Sequence, residues 1–159
     1  MRQTSFGDDP CVCYRLLELG RLRCHEQVDA ATLEALIAEI IDDGALRQPV
    51  VVDSQTLVIL DGHHRVRALQ RLGCVQVPAY LVDYGDPRII VDCWQPGRAP
   101  LTKDEVVRAG SHGRPYPPKT SRHRFGPLAL HAKPVPLAQL GMGAPAQGET
   151  SGPAKLNLF

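Results

Sequence analysis

Residues 58–69 read Val58-Ile59-Leu60-Asp61-Gly62-His63-His64-Arg65-Val66-Arg67-Ala68-Leu69, and this stretch decides the fold. The apolar, β-branched run 56–60 is a strand. Asp61-Gly62 ends it, and residues 63–72 then form a helix closed by Gly73. A strand that feeds into a helix through a glycine leaves N–H groups projecting from the helix N-terminus. With the helix dipole, those groups attract an anion such as phosphate. A first helical turn normally favours acids, yet His63, His64 and Arg65 stand there, an arrangement unfavourable unless an anion is bound. Gly62 permits close approach of the backbone to a ligand. Asp61 sets a carboxylate beside it that suits Mg²⁺ or a hydroxyl to be oriented. The same residues also fit a plain turn with Arg65 solvated and one histidine packed in the core.

Working outward, Pro49-Val50-Val51-Val52-Asp53 is a strand joined to 56–60 by a hairpin. Residues 30–43 carry Leu33, Leu36, Ile37, Ile40 and Ile41 at helical spacing, with Asp29 as the cap and Gly44 as the stop. Residues 14–23 suit a first strand or strand plus turn. Residues 75–82 suit a strand, with Pro78 placing it near an edge or bulge, and 88–94 another. Residues 102–109 form a short helix opened by a capping box, Thr102 with Glu105. The expected class is α/β (α+β): a compact domain with short mixed strands, two main helices and a phosphate-binding strand–turn–helix.

The chain has 159 residues, 43% of them apolar, enough for one domain with a real core. The net charge of +1 hides an asymmetry. Residues 1–109 hold 12 Lys+Arg against 16 Asp+Glu, whereas residues 110–159 hold six basic side chains against Glu149 alone, with 8 Pro and 7 Gly. By composition, this C-terminal extension reads as basic and poorly ordered. No apolar run is long enough for a membrane helix, and the first residues lack a secretory pattern. The expected location is the cytoplasm, with no membrane partner. Five cysteines (11, 13, 24, 74 and 93) without paired C-x-x-C spacing are expected to be free thiols. No helix-turn-helix follows residue 110 and the first 109 residues are acidic, so no nucleic-acid partner is expected.

The segment 58–69, with Leu72-Gly73 and Val77-Pro78 after it, resembles the ParB/sulfiredoxin-like fold, in which the equivalent turn cradles nucleotide phosphates. The Asp61-Gly62-His63-His64-Arg65 form looks most like the free L-serine kinase branch. Residues 49–53, Val82-Asp83-Tyr84 and Pro117-Pro118-Lys119-Thr120-Ser121-Arg122-His123 support that branch. Sulfiredoxin-like enzymes carry a reactive cysteine in the turn, where this chain has His63 and His64. ParB partition proteins carry a Gly-Glu-Arg-Arg type box and an added DNA-binding domain. The resemblance implies a phosphotransferase that moves a phosphoryl group from ATP or ADP to the hydroxyl of free L-serine, with Mg²⁺. The alternative is a ParB-like nucleotide-binding regulatory protein without kinase activity.

The resemblance also implies roles. Glu26, in His25-Glu26-Gln27-Val28, is the base, and must fold against the Asp61 turn to reach the hydroxyl. Read without the family, it is an acid near the start of helix 30–43. Asp61 binds metal or orients the hydroxyl. Gly62, His63, His64, Arg65, Lys119 and Thr120 bind the nucleotide. Trp94, Ser121, Arg122 and His123 bind the amino acid, although Trp94 alone would read as core and 119–123 as a solvated basic loop. His25 has only its neighbourhood to recommend it and is left unassigned. The kinase domain is expected over 14–140, with 115–140 covering the active site and 141–159 a flexible tail. Oligomeric state is not legible.

Overall fold

A computed structural model describes residues 10–141. The expected tail beyond Gly141 therefore lies outside the described residues. The chain runs β1 (Val12–Glu18), a 3-10 turn (Leu19–Arg21), α1 (Ala30–Asp43), β2 (Ala45–Leu46), β3 (Val50–Asp53) and β4 (Ile59–Asp61). It continues with α2 (His63–Arg71), β5 (Gln76–Val82), β6 (Ile90–Asp92), α3 (Lys103–Ser111), β7 (Arg122–Arg124), β8 (Val135–Pro136) and a last 3-10 turn (Leu137–Leu140).

The main sheet has the order β1-β5-β3-β4. β3 runs parallel to β5, and its other neighbour, β4, is antiparallel. The mixture follows from the connections. The β3–β4 link is a tight turn, in which buried Asp53 accepts from the Thr56 N–H and hydroxyl. The route from β3 to β5 instead passes through α2, as a parallel pairing requires. Both faces of this sheet are covered. Val50, Val52, Ile59, Val77 and Ala79 pack with α1 and α2, while Val51, Val58, Leu60 and Val82 pack with Tyr84, Ile89, Val106 and Leu128. That is why 50–52 is apolar at successive positions rather than alternate ones.

α1 starts and ends where its caps dictate. The Asp29 carboxylate accepts from the Thr32 N–H, and Gly44 adopts the left-handed conformation at φ 67°. α3 carries the full Thr102–Glu105 capping box. One expectation needs correction: β5 is an inner strand, not an edge. Pro78 is accommodated because pairing with β3 begins only at Ala79, so Pro78 faces β1 alone. The 88–94 strand shrinks to three residues and pairs with β7 instead of joining the main sheet.

Residues 115–140 are folded onto the body of the protein. β7 pairs with β6, β8 pairs with β2, and Leu137 and Leu140 join the core beside α1 and α2. The composition of this stretch suggested disorder, but its few apolar residues fall where the body offers a partner. None of the five cysteines forms a disulfide. Among the described residues, no helix is long and apolar enough to cross a membrane.

Candidate active site

The β4–α2 junction forms as its sequence dictates. Gly62 is the N-cap of α2, at φ 113°, and offers no side-chain cap. A Cβ there would stand 2.5 Å from Val50 Cγ1, so the turn passes directly over β3. Gly62→Ala combines this overlap with a φ that L-residues avoid, and is expected to cost about 3 kcal/mol of stability. Chemical denaturation measures the loss, and Val50→Ala in the same chain should recover part of it by making room.

The two histidines after Gly62 do not act as cations. The Nε2 of His63 accepts from the His25 N–H at 3.1 Å, and the Nε2 of His64 accepts from the Asp29 N–H at 2.9 Å. An accepting ring nitrogen carries no proton, so both rings are neutral in this arrangement. Burial, reinforced by neighbouring histidines, holds His63 well below the ordinary histidine range. Burial also lowers His64, opposed by Asp29 and Glu26. Arg65 is occupied too. It donates to the carbonyls of Gln48 and Pro49 and pairs with Asp61 at 3.1 Å. The three side chains expected to bind an anion thus each have a partner inside the protein. His63 and His64 bolt loop 25–29 onto the turn, and Arg65 braces the turn from beneath. The groups left to face a ligand are the leading N–H groups of α2 and the Asp61 carboxylate, whose side chain is 56% exposed.

Glu26 sits on the loop so bolted. Its Oε2 accepts from the Lys119 N–H at 2.6 Å. Its Oε1 accepts from the Ser121 N–H at 3.1 Å and the Ser121 hydroxyl at 2.9 Å. Lys119 takes the left-handed region (φ 62°), which turns its N–H toward the carboxylate. Glu26 and Tyr116 also form a parallel bridge. The structure therefore joins three sequence-distant pieces: the 25–29 loop, the 61–65 turn and the 116–123 segment. Glu26 is not a cap of α1, because Asp29 fills that place.

Within 116–123, most polar side chains are turned inward. The Thr120 hydroxyl donates to the Pro117 carbonyl at 2.6 Å. Ser121 is buried against Glu26 and His25. The His123 Nε2 lies 2.8 Å from the Tyr84 hydroxyl, and burial lowers the His123 pKa to about 3. Ser121 and His123 are thus engaged within the protein, whereas the Thr120 hydroxyl makes a local, exposed bond. Arg122 differs. It pairs with Asp92 at 3.1 Å, and its guanidinium lies 4.8 Å from the centre of the Trp94 ring. Its Nε is buried without a hydrogen-bond partner among the described residues. Trp94 is 53% exposed, which sets aside the core-packing reading and leaves it beside Arg122.

Sequence reasoning left out His25. It is 1% exposed, with Nδ1 2.8 Å from the Ile59 carbonyl and Nε2 2.9 Å from Ser121 Oγ. Burial lowers its pKa to about 4. The signal would have been long-range, since its partner lies 96 residues away. A separate cavity of about 390 Å³ between α1 and β2 meets this region only through Arg65.

A mixed sheet and a helix N-terminus without a side-chain cap behind a glycine turn define a small α/β domain. Residues 12–92 match the ParB N-terminal domain, and the chain belongs to that family. It is 33% identical over 106 residues to an ADP-dependent L-serine kinase of Thermococcus kodakarensis, covering 64% of this chain and 44% of the relative. It is 31% identical over 85 residues to an ATP-dependent L-serine kinase of Staphylothermus marinus, covering 51% and 34% respectively. The chain thus spans less than half the length of these curated relatives. Among solved structures, a glutamate-to-glutamine variant of a free serine kinase in complex with AMP superposes with a TM-score of 0.74. The identity there is 19%, with 84% of this chain and 96% of that one covered.

Proposed function

We propose that this protein is a small-molecule kinase that transfers a phosphoryl group from ATP or ADP to the hydroxyl of free L-serine. The observation that carries the reading is the position of Glu26: a carboxylate bolted through His63 and His64 to a helix N-terminus without a side-chain cap. The named activities of the two curated relatives support it, and so does the nucleotide in the related structure.

In this reading, the N–H groups opening α2 bind the donor phosphates, and Gly62 lets them approach. Glu26 takes the proton of the acceptor hydroxyl. The Arg122 guanidinium, held over Trp94, suits the carboxylate of the amino acid. Trp94 forms a flat wall on that side. Residues 117–121, tied to Glu26, cover the site and exclude water. Residues 14–140 then act as one kinase domain.

Mg²⁺ in phosphoryl-transfer sites is commonly held by one or two carboxylates together with substrate phosphates and water. No group of three or more His, Cys, Asp or Glu is placed to hold a metal among the described residues. Exposed Asp61, beside the helix N-terminus, fits the sparser donor set. Asp61 would hold the ion, which supplies neutralisation of phosphate charge.

The test is direct. Incubation with L-serine, Mg²⁺ and either ATP or ADP is expected to yield O-phospho-L-serine with at least one donor. Absence of product with both would sink the kinase reading. Nucleotide binding without product would favour a nucleotide-binding regulator. Both donors belong in the assay because the relatives differ on this point and a helix N-terminus does not count phosphates.

A further inference from the structure

The Oγ of Ser121 lies 2.9 Å from Glu26 Oε1 and 2.9 Å from His25 Nε2. A hydroxyl has one proton to give. The Nδ1 of His25 faces the Ile59 carbonyl at 2.8 Å, and a carbonyl only accepts. Neutral His25 therefore keeps its proton on Nδ1 and presents a bare Nε2 to Ser121. The Glu26 carboxylate is also an acceptor. Two acceptors thus meet one hydroxyl proton, and the chain is one proton short. His25 is 1% exposed and Ser121 7%, so water has little room to make up the deficit.

We infer that Ser121 and His25 form a proton relay behind Glu26, completed by the proton that Glu26 takes from the acceptor hydroxyl. The inference rests on the phosphoryl-transfer reading. As the acceptor oxygen bonds to phosphorus and the donor's bridging P–O bond breaks, the acceptor O–H proton moves to Glu26. Glu26 then donates to Ser121 Oγ, and Ser121 donates to His25 Nε2. The result is a carboxylate and an imidazolium linked through a hydroxyl, with every contact filled. The proton leaves by the reverse path after product departs. Neither His25 nor Ser121 touches the reacting atoms, so both are positioning residues.

Burial opposes an imidazolium at His25, but the neighbouring rings add no positive charge against it. His63 and His123 face His25 edge-on at 4.6 and 5.7 Å between ring centres, and both are held neutral. The charge that meets an imidazolium at His25 is the Glu26 carboxylate, 4.0 Å from Nε2. Burial holds His25 at about 4, so an imidazolium there is short-lived and gives its proton back once the site empties.

Three variants test the relay. Ser121→Ala should lower kcat about tenfold or more, leave both KM values unchanged and alter the solvent deuterium isotope effect. Ser121→Thr, which keeps the hydroxyl, should restore both quantities. His25→Asn keeps a donor for the Ile59 carbonyl but lacks Nε2, and should match the Ser121→Ala loss. Nitrogen-15 NMR of the wild-type protein at neutral pH should show His25 protonated on Nδ1 alone. A proton on Nε2, or a Ser121→Ala variant with wild-type kcat and isotope effect, overturns the relay. A wild-type protein that forms no phosphoserine overturns the kinase reading and the relay together. Product formation with failed relay variants overturns the relay alone.

Discussion

Replacing Glu26 by glutamine should cut phosphoserine formation by about 10²–10⁴-fold, the usual worth of a positioned general base. The geometry makes the change more than a loss of basicity. Both carboxylate oxygens accept backbone N–H groups, Oε2 from Lys119 and Oε1 from Ser121. An amide must turn its NH₂ toward one of them, setting donor against donor. Glu26→Ala leaves both N–H groups without this partner, at a cost of about 1–3 kcal/mol for each one that stays buried. Nucleotide affinity should change much less than turnover, because the α2 N-terminus and Gly62 are untouched. Steady-state rates and calorimetric nucleotide titration separate the two quantities. A Glu26→Gln enzyme within threefold of the wild-type rate would remove Glu26 from the chemistry.

The second large effect is on stability in mild acid. His25, His63 and His123 all have folded-state pKa values depressed chiefly by burial, His25 to about 4 and His123 to about 3. In the unfolded chain each titrates near 6.5. Above that pH both states are neutral and the histidines contribute no pH dependence. As pH falls below about 6.5, the unfolded state takes up protons that the folded state refuses, and stability drops. Near pH 5, fully buried His25 alone accounts for about 2 kcal/mol. His63 and His123 are depressed in the same direction by burial and add to this loss. The loss is substantial against the roughly 5–15 kcal/mol typical of a domain. Urea midpoints between pH 7 and pH 5 should fall steeply, and His123→Phe should flatten the slope by up to one proton. Stability unchanged over this range would contradict the neutral histidine cluster.

Much of the frame was legible because it is written locally. Asp29, the apolar spacing of Leu33 to Ile41, and Gly44 mark α1 within one residue of its ends. Thr102 and Glu105 mark the start of α3. The Asp61-Gly62 turn declares itself by its conformational demand. What escaped reading depends on residues distant in sequence. His63 and His64 looked like cations because their acceptors' partners, the N–H groups of His25 and Asp29, lie 38 and 35 residues away. His25 looked idle because Ser121 was not yet beside it. Pro78 signalled an edge, and only the start of the β3 pairing explains its place in an inner strand. The basic run 119–123 was read as active-site material with its side chains aimed outward, but Ser121 and His123 point in.

The contacts of Glu26 with Lys119 and Ser121 also set an order of assembly. They span 93 and 95 residues, whereas the β3–β4 turn and α2 close over short stretches of chain. Short loops close at low entropic cost and long ones late. The main sheet and both main helices are synthesised before residue 116. The carboxylate at position 26 therefore waits, unclamped, for nearly the whole described chain to be synthesised. A chain ending before residue 117 would therefore hold the frame with Glu26 unclamped.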